Sequence, residues 1–262
     1  MPNSQARGAL LAASLFLCAG ANRTAAESDA QTAAIAARLV AAYPASVSGI
    51  EGNDVVFTDG SRLPFDDGKS EKSFEDWLAS PDIEDMFRYP YPAGAAGAPD
   101  ADPGRARNAA FFQKIYGDCR KGGVINDLVE VYWPTGKSKT VIKVTKRNGV
   151  ADKLKAVGEE LAKLPADITA NLTPPGGGYV CRGIAGTATP SAHGYGIAVD
   201  IALKNSDYWR WKKSGGGDPP AYRNRIPAEI VAVFEKHDFI WGGRWRHFDT
   251  MHFEYRPELF ER

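Results

Sequence analysis

The stretch Ser191–Asp200, SAHGYGIAVD, sets His193 seven residues ahead of Asp200, a carboxylate inside an otherwise apolar run. A helix would put the two on one face, but Gly194, Gly196 and the β-branched Ile197, Val199 and Ile201 disfavour it. As a strand from Gly196, side chains alternate. Ile197, Val199, Ile201 and Leu203 face one way, and Gly196, Ala198, Asp200 and Ala202 the other. One face packs a core; the other sets a carboxylate on a floor of small residues with space for a ligand. Because seven is odd, a continuous strand would send His193 to the opposite face. Gly194 and Gly196 must bend the chain if both residues are to meet one ion.

A second cluster, IWGGRWRHFDTMHFEYRPEL (240–259), holds Asp249 and His252 spaced as D-x-x-H. With MHFEYR as a strand, Met251, Phe253 and Tyr255 face the core, and His252 shares the other face with Glu254. An aspartate three residues earlier, on a turn, lies beside a ligand without coordinating it, which is where a general base belongs. His193, Asp200 and His252 supply two imidazoles and a carboxylate, the three-ligand set of catalytic zinc with a fourth position for water. Zinc lowers that water's pKa, and a nearby carboxylate takes its proton as it attacks a carbonyl. H-E-x-x-H is absent, which excludes the zincin helix. The residues alone leave one alternative open, in which Asp200 caps a turn and His252 is a core imidazole.

The other histidines read differently. Arg246 beside His247 suggests a solvent-facing strand end, and His237 follows the apolar face of a helix, where an imidazole favours the helix dipole. Trp241 and Trp245 are core or cleft wall, and DYWRWKKSGGGDPP (207–220) is a short helix entering a loop, scaffold rather than lid.

Elsewhere, DAQTAAIAARLVAAYP predicts a helix over 29–43, and turn signals at Gly52-Asn53-Asp54 and Asp59-Gly60 predict a small hairpin. YPYPAGAAGAPDADPG (89–104) is too poor in large apolar residues to pack a core and reads as a linker or exposed loop. Beyond it, RARNAAFFQKIYGDC is a helix, DLVEVYW and KTVIKVT are paired strands, and GVADKLKAVGEELAKL is a helix burying Leu154, Val157, Leu161 and Leu164. RIPAEIVAVFEKHDF is a further helix with Ile230, Val233 and Phe234 inward. Strands and helices mix without a βαβ period, which argues α+β.

The N-terminus has Arg7, an apolar run over about 8–21 and small residues at 24–26, the layout of a cleaved export signal over 1–26 and too short to span a membrane. Leu17 is bulkier than the residue that precedes a lipid-modified cysteine, so Cys18 is expected to leave with the signal. Cys119 and Cys181 remain, and an even pair in an exported chain predicts a disulfide. Lys+Arg and Asp+Glu both number 32, and losing Arg7 and Arg23 takes the basic count to 30. This charge balance provides no footprint for nucleic acid; the locally basic TGKSKTVIKVTKR is a solvated strand face.

In order along the chain, S-x-H-x-x-G-x-A-x-D (Ser191, His193, Gly196, Ala198, Asp200), WGGRW and D-x-M-H-F-E resemble the zinc D-alanyl-D-alanine carboxypeptidase and L-alanyl-D-glutamate endopeptidase family over about 178–258. The resemblance implies a Hedgehog/DD-peptidase-like α+β fold, mainly antiparallel sheet flanked by helices, as a peptidase domain over 105–262 behind a small N-terminal lobe and linker over 27–104. It implies one Zn²⁺ on His193, Asp200 and His252, Asp249 as base, and Arg182 steadying the substrate carbonyl and its oxyanion. Ser191, Trp241 and Trp245 are candidate substrate contacts. The implied substrate is a peptidoglycan stem peptide, met in the periplasm or cell wall. Many carboxypeptidases of the family carry glutamate where this chain has Asp249; aspartate resembles the endopeptidase and phage-lysin branch. An inactive zinc module of Hedgehog type, binding cell-wall or protein ligands, is the alternative.

Overall fold

The computed structural model describes residues 25–135, 139–184, 189–211 and 219–261. The segment read as an export signal lies outside them up to residue 24. Helix α1 (Ala25–Ala42) starts four residues earlier than the predicted 29, as the alanine run extends the helix upstream. It leads into a meander of β1 (Val47–Glu51), β2 (Asp54–Phe57) and β3 (Arg62–Pro64), one strand more than the hairpin. Next come α2 (Phe74–Ala79) and α3 (Ala109–Tyr116). The Asn108 side chain caps α3 by accepting from the Phe111 amide, so the helix starts later than RARN suggests. Gly117, at φ 96°, ends it; a Cβ there would lie 2.3 Å from the Gly123 carbonyl oxygen.

Strands β4 (Leu128–Tyr132) and β5 (Val141–Thr145) pair antiparallel as predicted. Helix α4 (Val150–Leu161) buries Leu154, Val157 and Leu161, while Leu164 falls past its end and is only partly covered. After α5 (Ala166–Thr169), β6 (Pro175–Gly177), α6 (Ala192–Tyr195), β7 (Ala198–Ala202), α7 (Ala228–Lys236), β8 (Phe239–Trp241) and β9 (His252–Tyr255) complete the chain. In α7 the inward residues are Ile230, Val231 and Phe234, with Val233 partly covered. The last four strands form an antiparallel sheet ordered β6-β7-β9-β8, so the architecture is α+β. The ring of Phe234 on α7 stacks at 3.8 Å on Phe253 of β9, covering one sheet face with a helix.

The predicted strand 196–203 is split. Residues 192–195 form one helical turn that ends on Gly196 at φ 72°, where a Cβ would approach the Thr145 amide nitrogen to 2.9 Å. Ile197, Val199 and Ile201 are sealed in the core as expected, but Leu203 turns out of the strand into a 3-10 turn and is half exposed.

The segment 89–104 is only partly an exposed loop. Residues 92–98 are exposed, whereas Asp102, Pro103 and Gly104 are buried. Their docking uses backbone carbonyls: Ala101 accepts from the Arg246 amide (2.7 Å), Pro103 from Trp245 Nε1 (2.8 Å) and Gly104 from Arg256 Nη1 (2.6 Å). Composition is blind to such anchoring, because every residue carries a carbonyl. Ile35 and Leu39 of α1, and Tyr43 just past its end, enter the same core as Phe111, Tyr116 and Leu259. Among the described residues no helix is long and apolar enough to cross a membrane.

Candidate metal centre and cleft

Strand register brings the distant motifs together. Asp200 on β7 sits directly opposite His252 on β9, and the next pairs are Val199 with Phe253 and Ala198 with Glu254. Cross-strand partners on one face are close neighbours, so fifty residues of separation collapse to one contact. His252 Nδ1 lies 3.1 Å from Asp200 Oδ1. His193 reaches the same oxygen from α6, with Nε2 at 3.3 Å. The three form one of the described clusters close enough to hold an ion.

The proton positions identify what this cluster lacks. His193 Nδ1 is 2.6 Å from the Gly178 carbonyl oxygen, which can only accept, so Nδ1 carries the hydrogen and Nε2 presents a lone pair. That buried Nε2 has no hydrogen-bond partner and faces a carboxylate oxygen. Two electron-rich atoms so placed need a cation between them. Ligand bonds of about 2.1 Å in a tetrahedron give ligand spacings of about 3.4 Å, close to the 3.1 and 3.3 Å seen. His252 is fixed likewise, with Nε2 3.3 Å from Glu254 Oε2, an imidazole held by a carboxylate behind it. Two imidazoles and a carboxylate, lone pairs converging, fit zinc.

The electrostatics agree. Burial opposes charge on Asp200, yet the two imidazoles outweigh it and hold the carboxyl far below the usual range. Burial would also lower His252, but hydrogen bonding to Asp200 and Glu254 raises it to about 9. Such a site favours positive charge, as a proton or as a metal.

Asp249 joins this cleft of about 360 Å³ together with His193, Asp200, His252, Arg182, Ser191 and Trp245. Its Oδ1 is sealed from solvent and has no hydrogen-bond partner. Burial raises its pKa to about 6, against the pull of His252. Gly242 makes its place; a Cβ there would be 2.5 Å from the Asp249 carbonyl oxygen. Arg182 is an exposed residue of the cleft, Ser191 is buried at the start of α6, and Trp245 lies 5.6 Å, ring to ring, from His252. Trp241 does not line the cleft. Its Nε1 donates to the Thr250 carbonyl and its ring packs on Phe253, so it supports the sheet from behind.

Cys119 and Cys181 are disulfide-bonded, with Cα atoms 5.6 Å apart. The bridge packs on α6, where a Cβ at Gly194 would meet Cys119 Sγ at 3.3 Å, and it tethers Arg182 next to Cys181.

His247 is not solvent-facing. Nδ1 lies 2.8 Å from Asp102 Oδ2, and the ring stacks at 4.0 Å on Phe74. The docked segment 89–104, a strap over the cleft-side residues, and α2 cover it, which adjacent Arg246 could not reveal. His237 caps the end of α7 and pairs with Glu160 at 2.8 Å, a structural role.

Several cleft residues escaped the sequence reading. Phe74 and Leu78 come from α2, Arg105 from just past the segment 89–104, and Tyr208, Trp209, Arg210 and Trp211 from the segment read as scaffold. Only the aromatic density of DYWRW hinted at a wall. Glu254 and Gly178 orient the two imidazoles; the run Gly176-Gly177-Gly178 was the available signal for the latter, since a Cβ at Gly178 would lie 2.3 Å from the Lys143 carbonyl oxygen.

Comparison with protein families matches residues 185–255 to the family model described as D-alanyl-D-alanine carboxypeptidase. Over this segment the chain is similar to that peptidase family. The match takes in His193, Asp200, Asp249 and His252, and ends before Arg256. Arg182, Cys119 and the strap lie outside it. No curated protein and no solved structure matches the chain.

Proposed function

We propose that this protein is an exported zinc peptidase that hydrolyses peptidoglycan stem peptides, of D,D-carboxypeptidase or L,D-endopeptidase type, on a Hedgehog/DD-peptidase-like domain. The observation that carries the reading is the unpartnered Asp249 Oδ1 in the same cleft as the converging His193, Asp200 and His252 ligands.

His193 through Nε2, Asp200 and His252 through Nδ1 would hold one Zn²⁺, which when bound would supply a Lewis acid for the scissile carbonyl and acidify a water. Asp249 takes the proton from the attacking water, and its raised pKa suits returning that proton to the leaving amine. Arg182 donates to the carbonyl oxygen as charge develops there. Glu254 keeps His252 in the tautomer that leaves Nδ1 free. Ser191 and Trp245 contact the substrate. Aspartate at 249, where many carboxypeptidases of the family carry glutamate, resembles the endopeptidase branch.

The test pairs metal analysis with product identification. Zinc-loaded protein is incubated with purified peptidoglycan and a synthetic stem peptide, and products are read by mass spectrometry. Asp249→Ala is expected to keep its metal and lose hydrolysis; full activity in that variant refutes the mechanism. Zinc binding by the native chain without cleavage favours the binding-module alternative.

A further inference from the structure

The segment 207–211 carries a further side chain of the metal cleft, Tyr208. Residues 207–209 run antiparallel to 248–250. The Trp209 amide donates to the Phe248 carbonyl and the Thr250 amide to the Asp207 carbonyl, each at 2.9 Å, and the Asp207 amide donates to Thr250 Oγ1 at 2.7 Å. Tyr208 is thereby opposite Asp249. With the backbone bonds falling to either side, the two form a non-hydrogen-bonded pair, the arrangement in which opposed side chains stand closest on one face. Register thus sets a phenol beside Asp249 as it sets Asp200 beside His252. Arg225 braces the segment, donating to the Asp207 carboxylate at 2.9 Å and to the Ser206 carbonyl at 2.8 Å.

The Tyr208 ring meets Trp209 and Trp211 edge to face, with centroids 6.4 and 6.1 Å away, which orients it. Its hydroxyl has no hydrogen-bond partner among the described residues. Burial, and then the Asp249 carboxylate, raise its pKa against the pull of Arg210, Arg105 and Arg182, so the phenol keeps its proton. A neutral donor without an acceptor is left in the cleft beside the base. Arg182, the other donor assigned to the substrate carbonyl, is exposed, so ordering it on the substrate costs side-chain entropy that a donor held by register avoids.

We propose that Tyr208 is a further catalytic residue, whose hydroxyl donates a hydrogen bond to the oxygen of the scissile carbonyl as charge develops there, alongside Arg182. The phenol O–H stays intact throughout; only the acceptor changes in charge. A preorganised donor of this kind stabilises the tetrahedral state more than the substrate, so it acts on kcat rather than on binding. The assignment rests on the peptidase reading and adds a second donor to it.

Tyr208→Phe deletes the hydroxyl and keeps the ring against Trp209 and Trp211. In the zinc-loaded protein, kcat on a synthetic stem peptide should fall about 100-fold with KM within about threefold. Zinc affinity, read by chelator competition, and the unfolding temperature should stay at their native values. A kcat within about threefold of native, or a loss confined to KM, overturns the proposal. A variant that loses zinc affinity or stability in step with activity has lost structure, which overturns it as well. A phosphinate analogue of the stem peptide, whose anionic oxygens stand in for the tetrahedral oxyanion, gives a readout that needs no turnover. The variant should bind it about 100-fold more weakly than the native protein, with binding of the uncleaved peptide unchanged; equal phosphinate affinity removes Tyr208 from the reaction and leaves the peptidase standing. If the native chain binds the phosphinate but cleaves nothing, the peptidase reading fails, and weaker binding by Tyr208→Phe still upholds the hydroxyl as a donor to that oxygen. A native chain that neither cleaves nor binds the phosphinate refutes both.

Discussion

Replacing Glu254 by glutamine tests whether the metal site depends on buried charge behind it. Glu254 is fully buried, faces His252 Nε2 at 3.3 Å and accepts from Arg107 at 2.8 Å and Arg256 at 3.3 Å. Burial opposes its ionisation, but Arg107 and then His252 and Arg256 outweigh it and hold the carboxyl near 2. Arg256 passes the network on to Glu258, which accepts from Tyr43, just past the end of α1, at 2.7 Å. Glu254→Gln keeps the volume and deletes the charge. Arg107 Nε and Arg256 Nη2 already lack partners, so no spare acceptor takes up the lost interaction. Breaking a buried pair from one side costs about 3–5 kcal/mol. Loss of the carboxylate behind a ligating imidazole weakens metal binding about 10–100-fold. Urea unfolding in chelator measures the first without metal linkage, and competition with a chromogenic chelator measures the second. A variant within about 1 kcal/mol of the native protein and unchanged in zinc affinity would refute the argument.

Four further outcomes are expected. Serine at both Cys119 and Cys181 opens a loop with a sequence separation of 62 and should lower stability by about 4 kcal/mol by the chain-entropy relation, read by urea unfolding with and without reductant; no change would mean that the bridge constrains nothing. Gly178→Ala drives a Cβ to 2.3 Å from the Lys143 carbonyl oxygen, so β6 must shift, and both stability and zinc affinity should fall, whereas Gly177→Ala, which meets nothing within 4 Å but has φ 126°, strains only its own backbone. Asp249 is protonated below a pKa raised to about 6, so kcat/KM should fall with decreasing pH; a bound dication favours the charged form, placing the limb at or below that value, and a limb above pH 7 would exclude Asp249 as the base. Zinc removal should lower the unfolding temperature reversibly, since an ion held only by the folded chain adds to its stability by mass action; unchanged melting with chelator would return Asp200 and His252 to a structural role.

The sequence carried what depends on local periodicity and side-chain chemistry. Alternation identified the inward Ile197, Val199 and Ile201 and the outward Asp200, and it put Glu254 on the face of His252, because a pleated strand has a fixed period of two. An even pair of cysteines gave the disulfide. His193, Asp200, Asp249 and His252 could be nominated by residue type and order, and the fold brings them into one cleft. Even there, local reading erred where tertiary context overrode it: residues 192–195 form a turn of helix, packed against the disulfide and ended on Gly196, and His247 is buried because residues 101–104 dock through backbone carbonyls and the Asp102 carboxylate. Only the folded chain decided the β7–β9 register that joins Asp200 to His252, the Gly178 carbonyl that aims His193, and the use of α2 as a cleft wall. These are contacts between residues far apart in the chain, and no local pattern specifies them: residue type says what a group can do, and packing alone says what it faces.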